Sequence, residues 1–393
     1  MITHETARFP RGFRCAATHC GLKKSGDDLA LFASDVPGAA AAVFTRNHFP
    51  GAPVIVGRER IREGRLQAVV VNSKVSNVGT GAEGIAAARA MGRAAAEELG
   101  IDESLVIMSS TGVIGVPLPI DRIQAGLRGL SAQLGDDPLV GARGIMTTDS
   151  HPKALSCEIR GRDDTPVTIT LVAKGAGMVA PNMATMLAYL FTDAEVEARS
   201  LDTILRRVVD RTFNMLSVDT DTSTSDSCVM IANGRAGPVE ASAFEDALLA
   251  LCTRMTEVLA RDGEGATRLL RVTVSGAASL ADARTVARSL MESPLIKTMV
   301  HGGDPNVGRI LMAVGKCVGV RVEPERVSAR IGETAVVEGG RRARFDDARV
   351  REVLQGDPVD LRVDLGVGTE AARGWGCDLS HGYVDENAAY YSS

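Results

Sequence analysis

The sequence predicts an α/β protein built from two domains, and three observations predict it. Short apolar, β-rich runs alternate with stretches of helical spacing along most of the 393 residues. Hydrophobic residues make up 45% of the chain and charged residues 24%, so a sizeable core can form. The strand-then-helix pattern restarts beyond Arg271, which places a boundary near residue 276 and domains at 1–275 and 276–393. Alternation of this kind, taken alone, suggests a doubly wound sheet.

The elements follow in chain order. Ala68 to Val71 is an apolar β-rich run that leads into the turn-rich Asn72 to Gly81. An alanine-rich helix is expected from Glu83 to Leu99, then a strand at Leu105 to Met108 that ends in Ser109-Ser110-Thr111-Gly112. Ile120, Ile123, Leu127, Leu130 and Leu134 recur at helical spacing. From Met186 to Phe191 both alternating faces are apolar, as in a strand covered on both sides. Ser200 is a candidate cap for a helix carrying Leu201, Ile204, Leu205 and Val208. A further helix is expected from about Phe244 to Arg261, stopped by Asp262-Gly263. In the second domain, strands are expected at Val272 to Val274, Val327 to Ile331 and Val359 to Leu365, with a helix containing Ala281 to Met291.

Composition and charge exclude several functions. A net charge of -5, basic residues spread along the chain and only 4% aromatics argue against nucleic acid as a partner. The longest mostly apolar run, Met178 to Phe191, is broken by Pro181 and Asn182 and is too short to span a membrane. The start lacks a basic segment followed by an apolar run, so no secretory signal is expected. The seven cysteines are scattered, with no Cys-x-x-Cys pair, which suits reduced thiols in a cytoplasmic protein. No metal is expected: Asp219, Asp221 and Asp226 sit in a run that resembles a calcium loop but lacks its central glycine and closing glutamate. A hydrogen-bonded turn is the expected reading there. Gly315-Lys316 lacks the rest of a phosphate-binding loop.

The stretch that carries chemistry runs from Lys174 to Leu187: Lys-Gly-Ala-Gly-Met-Val-Ala-Pro-Asn-Met-Ala-Thr-Met-Leu. Two glycines and a proline make a turn, and Thr185 stands where that turn enters the apolar strand. On these residues alone a buried core threonine opening a strand is the expected reading. A dinucleotide fingerprint fails, because the third glycine and the following helix are missing.

This segment resembles the cleavage segment of the ornithine acetyltransferase family, also called bifunctional glutamate N-acetyltransferases. Other segments match that family in order: Pro10-Arg11-Gly12-Phe13-Arg14, Ser34-Asp35-Val36-Pro37, Ser110 to Gly115, Met146-Thr147-Thr148-Asp149, Asp262 to Thr267, Asp304-Pro305-Asn306 with Gly308-Arg309, and the tail at Asn387. The resemblance implies a four-layer αββα sandwich like that of self-processing aminopeptidases, followed by a smaller C-terminal α/β domain whose tail returns to the active site. It implies self-cleavage between Ala184 and Thr185, leaving two fragments that stay together, usually as a heterotetramer with two copies of each.

The chemistry that follows needs no cofactor. Cleavage gives Thr185 a free α-amine that can act as general base for its own hydroxyl, so a histidine or carboxylate is not required. Thr111 and Gly112 match the family's oxyanion-hole pair. Thr148, Lys174, Thr185, Glu264, Asn387 and Ser392 fall on its substrate-binding positions. Lys174 suits a carboxylate and Glu264 an ammonium group. Thr147 is adjacent, and Thr148 is chosen on its spacing to Lys174. The implied reaction is ping-pong transfer of acetyl from N2-acetyl-ornithine to glutamate through acyl-Thr185, in arginine biosynthesis or a specialised related pathway. Acetyl-CoA is left open as a further acetyl donor.

Two rival readings use the same residues. In one, an amidohydrolase or aminopeptidase releases the acyl group to water; in the other, the fold is a non-enzymatic binder of amino acids. The chain also departs from the family pattern at three places. Lys74 replaces a small glycine, Val307 stands where tryptophan is usual, and Ala389 replaces an aspartate. These departures bear on which amine accepts the acyl group.

Overall fold

The computed structural model describes residues 2–3, 6–180 and 186–388. Thr185, Ala184, Ser392 and Ala389 lie outside them. The chain forms two compact units. One comprises Met1–Gly175, Pro181–Asn214 and Thr222–Met255, the other Ala176–Ala180, Met215–Asp221 and Thr256–Ser393.

The first unit is built on a nine-stranded sheet. Its early strands are β1 (Ile2–Thr3), β2 (Phe13–Thr18), β3 (Leu29–Phe44), β4 (Arg65–Asn72) and β5 (Val106–Ser110). Then come β6 (Lys153–Arg160), β7 (Pro166–Lys174), β8 (Leu187–Glu195) and, past the short β9 (Leu216–Ser217) of the other sheet, β10 (Ser227–Pro238). The order is β1-β6-β7-β8-β10-β3-β4-β5, with β2 on the free stretch of β3. Around it lie α1 (Ala52–Arg60), α2 (Gly81–Leu99), α3 (Ile120–Leu127), α4 (Pro138–Ile145), α5 (Ala198–Arg211) and α6 (Ala241–Arg261).

Among the described residues, two apolar clusters pack in this unit. Leu29, Leu31, Val70 and Met108 of the sheet pack with Ala88, Met91 and Ala95 of α2 and Ile123 and Leu127 of α3. The spacing of the buried alanines and methionine is that of one helix face. Phe13, Phe32, Tyr189 and Phe191 meet Ala142 and Ile145 of α4, with ring centroids 5.2 Å apart for Phe13–Phe191 and 5.6 Å for Phe32–Tyr189. Burial of side chains this size stabilises by roughly 2–3 kcal/mol each. Leu187 to Ala194 is buried throughout, so the doubly covered strand expected from the apolar run is present.

The second unit has a seven-stranded sheet in the order β14-β13-β12-β15-β11-β16-β9. Its strands are β11 (Leu269–Ala277), β12 (Ser328–Ile331), β13 (Thr334–Glu338), β14 (Arg341–Arg342), β15 (Val359–Asp364) and β16 (Glu370–Cys377). The helices are α7 (Leu280–Met291), α8 (Pro294–Gly302), α9 (Gly308–Gly315), α10 (Asp347–Leu354) and α11 (His381–Ala388).

The α/β class and the two-sheet composition hold, and four details of the sequence reading change. The sheets are mixed rather than doubly wound: β3 runs antiparallel to β2, β4 and β10, and β6, β7 and β8 form an antiparallel meander. The domain boundary moves upstream of 276, because β11 pairs on both edges with later strands, β15 and β16. The helical face from Ile120 does not continue to Leu134: Gly129, at φ 76°, ends the run, and Leu130 and Leu134 reach the same cluster from outside α3. Likewise α5 is capped by Glu197, whose carboxylate accepts from Ser200 N at 2.9 Å. Ser200 is therefore inside the first turn and not its cap.

Candidate active site

The loop after β5 is fixed by its neighbours. Thr111 N donates to Asn72 O at 3.1 Å, and the Asn72 side chain in turn donates to Val75 O at 2.8 Å. Val113 N donates to Lys74 O at 2.9 Å and Ser76 N to Val113 O at 3.0 Å, so the 72–80 and 111–115 segments are laced together. Gly112 sits at φ 124°, and a Cβ there would overlap the Lys74 backbone. Only glycine fits. Lys74 itself has φ 87°, a left-handed conformation natural to the glycine it replaces in the family pattern. Thr111 is buried beside it.

Lys174 ends β7, and its Nζ donates to Thr147 Oγ1 at 3.0 Å. Of the adjacent threonines, Thr147 makes this bond, and Thr148 is the one that spacing to Lys174 favours. Thr147 is oriented by Asp149, whose carboxylate accepts from Thr147 N at 3.0 Å, from Gly175 N at 2.7 Å and from Lys153 Nζ at 2.6 Å. Burial pushes the Asp149 carboxyl up, but the Lys174 and Lys153 charges and these hydrogen bonds outweigh it, leaving it below the usual carboxylate range. Lys23 joins the same loop, donating to Met146 O at 2.9 Å, and burial draws its ammonium down despite Asp28 and Asp149. Sequence reasoning passed over Asp149 and Lys153. Asp149 closes the Met146–Asp149 motif, and that was the signal available.

The start of β8 is gripped on both edges. Lys174 of β7 lies opposite Leu187 in antiparallel register, and Ser227 of β10 lies opposite the same residue in parallel register. Ser227 N donates to Met186 O at 3.1 Å. Met186 is the residue that follows Thr185 in the chain.

The remaining candidates lie in the second unit. Glu264 N donates to Ala176 O at 2.9 Å, and a Cβ on Gly177 would strike the Glu264 carboxylate, so the acid rests on glycine backbone. Glu264 is buried, and Asn387 of α11 donates to its Oε2 at 2.8 Å. The structure therefore brings Glu264 and Asn387 together. Asp219 accepts from Met178 N at 2.6 Å, Val179 N at 2.9 Å and Asp221 N at 3.2 Å, the hydrogen-bonded turn expected of that acidic run.

Similar proteins bear on what this arrangement does. The model of the ArgJ family matches residues 14–392. The arginine biosynthesis bifunctional protein ArgJ of Rhodococcoides fascians is 45% identical over 388 residues, covering 98% of this chain and 95% of its own. Glutamate N-acetyltransferase Oat2 of Streptomyces clavuligerus is 42% identical over 396 residues, covering 99% and 100%. The crystal structure of the ArgJ protein of Bacillus halodurans matches with a TM-score of 0.51 and 36% identity, over 52% of this chain and 100% of that one.

Proposed function

Because the chain belongs to the ArgJ family, we propose that it is an acyltransferase that cleaves itself between Ala184 and Thr185 and carries acetyl from N2-acetyl-ornithine to glutamate. The observation that carries this is the grip on β8: one cation, Lys174, and one tightly packed strand, β10, flank the residue two places beyond Thr185. The strand that the proposed nucleophile leads into is thus held on both edges, and acyl transfer requires fixed geometry of this kind.

The steps follow from the residues. The Thr185 hydroxyl attacks the acetyl carbonyl, and its proton passes to the residue's own α-amine. Thr111 and Gly112 donate hydrogen bonds to the developing oxyanion, an interaction worth about 10²–10³ in rate per donor. The carbon–nitrogen bond breaks, ornithine's amine leaves with that proton, and acetyl stays as an ester on Thr185. Glutamate's amine then attacks the ester and restores the hydroxyl. Lys174, with Thr147 and Thr148, receives a substrate carboxylate; Glu264, with Asn387 and Ser392, receives an ammonium group.

A half-length chain is what such a cut leaves. Scission at 184/185 divides 393 residues into pieces of 184 and 209, and the solved Bacillus halodurans chain is matched along 100% of its length by 52% of this one. The mature form in this reading is a cytoplasmic heterotetramer of two copies of each fragment. No helix among the described residues is long and apolar enough to cross a membrane.

Intact-mass measurement of active enzyme tests the cut, with Thr185→Ala expected to stay whole and inactive. Acetate release from N2-acetyl-ornithine, with and without glutamate, tests the transfer. Release at full rate without glutamate would mean that water, not an amine, resolves the ester.

A further inference from the structure

Asn72 has no part in the scheme above, yet three segments meet on it. It ends β4, is fully buried, and lies in register between Leu29 of β3 and Ser110 of β5. An amide this deep is nearly always hydrogen-bonded, and its choice of partners is informative. The side-chain Oδ1 accepts from Ser110 Oγ at 2.5 Å, and Nδ2 donates to Val75 O at 2.8 Å. The main-chain O of the same residue accepts from Thr111 N at 3.1 Å. One residue thus grips the 72–80 turn, the last residue of β5 and the first residue of the loop beyond it.

These bonds decide what Thr111 has to offer. Its N–H is committed to Asn72, so the hydroxyl and the Gly112 N–H are the donors that remain in this pair. Among the described residues, neither of those two has a hydrogen-bond partner. A hydroxyl serves an oxyanion only when the backbone that carries it is fixed beforehand. The far side of the loop is fixed too, with Ser76 Oγ donating to Val113 O at 2.7 Å. Loss of the Ser110 bond leaves the Asn72 amide held from one side, and the slack falls on the two residues between the anchors, Thr111 and Gly112.

We infer that Asn72 is a positioning residue for the Thr111 hydroxyl, gripping Ser110 with its side chain and Thr111 with its main chain so that the hydroxyl is aimed at the oxyanion of acyl transfer. The inference rests on the reading of Thr111 and Gly112 as the oxyanion donors. Neither Asn72 nor Ser110 touches substrate in it. Their loss therefore weakens stabilisation of the transition state and leaves binding of the ground state alone.

The test is a double-mutant cycle in the full-length protein, with Ser110→Ala and Thr111→Ala alone and together, and Asn72→Ala beside them. Thermal melting shows which variants fold, and rates of acetyl transfer from N2-acetyl-ornithine to glutamate are counted per cut molecule by intact mass. Ser110→Ala is expected to lower kcat by about tenfold and Asn72→Ala by about 10²-fold, each with KM within about twofold of wild type. Thr111→Ala should itself cost about 10²-fold. In that background Ser110→Ala should cost no more than about twofold further, since the donor it helps to aim is gone. A residue that only plugged the strand end would lower the melting temperature and leave kcat per cut molecule unchanged. Wild-type kcat in Ser110→Ala, a raised KM at unchanged kcat, or losses that multiply in full in the double variant each overturn the inference. Should Asn72→Ala not fold, Ser110→Ala decides, and a folded Ser110→Ala protein that stays whole also overturns it, because the bond then serves the cut and not the transfer. A Thr111→Ala protein with wild-type kcat removes the oxyanion reading itself, a separate failure visible without any change at Asn72 or Ser110.

Discussion

Asp149→Asn perturbs the site through a group that contacts no substrate in the proposed reaction. Asp149 and Lys153 are paired at 2.6 Å with both side chains 0% exposed. Removing one partner of a buried ion pair costs about 3–5 kcal/mol, because the other charge is left without compensation. Asparagine keeps one acceptor oxygen for Gly175 N or Thr147 N, so the lower end, about 3 kcal/mol, is expected. At about 2–4 °C per kcal/mol, that lowers the melting temperature by roughly 6–12 °C. The pH dependence gives a second check. Asp149's folded pKa lies below its unfolded value of about 3.9, so its contribution is complete above that value and is lost as pH falls through the folded pKa. The gap between wild type and variant in thermal or denaturant unfolding should therefore be full at pH 7 and shrink towards pH 3. A variant within about 1 kcal/mol of wild type at pH 7, or a gap that does not change with pH, would refute the reasoning, since either result means the pair is not compensating a buried charge.

Three further changes follow from the geometry. Gly112→Ala forces a Cβ into the Lys74 backbone at φ 124° and displaces the proposed oxyanion donor, so kcat should fall by about 10²-fold or more in steady-state assays. Lys74→Gly relieves a left-handed φ of 87°, which costs a non-glycine residue about 1–2 kcal/mol. After about 0.4–1 kcal/mol is returned to the unfolded chain as glycine entropy, a small rise in melting temperature is expected. Asn387→Ala removes the 2.8 Å hydrogen bond to the Glu264 carboxylate and, if Glu264 receives a substrate ammonium group as proposed, should raise KM for that substrate by about tenfold with little change in kcat.

What the sequence disclosed, and what it hid, follows from how far each interaction reaches. Elements set by local periodicity were legible: α2 with its alanine face, α7, and the buried β8 all stand where apolar spacing put them. The β6–β7 hairpin was not picked out, although its turn at 161–165 carries glycine and two aspartates, because both strands mix apolar residues with Thr, Ser and Lys. The order of strands was also hidden, since β10 finds β8 and β3 at separations no local pattern encodes. The candidate site divides the same way. Lys174, Glu264 and Asn387 were legible only through family resemblance, and a lone charged residue otherwise reads as solvated. Asp149 and Lys153 went unnoticed because a buried pair of opposite charges looks, in sequence, like two surface residues four apart. Lys74 joins the two levels. Its identity reads as a departure from pattern, but its consequence depends on φ and on the backbone of Gly112, so a change of side chain there acts on the 111–115 loop through the main chain packed against it.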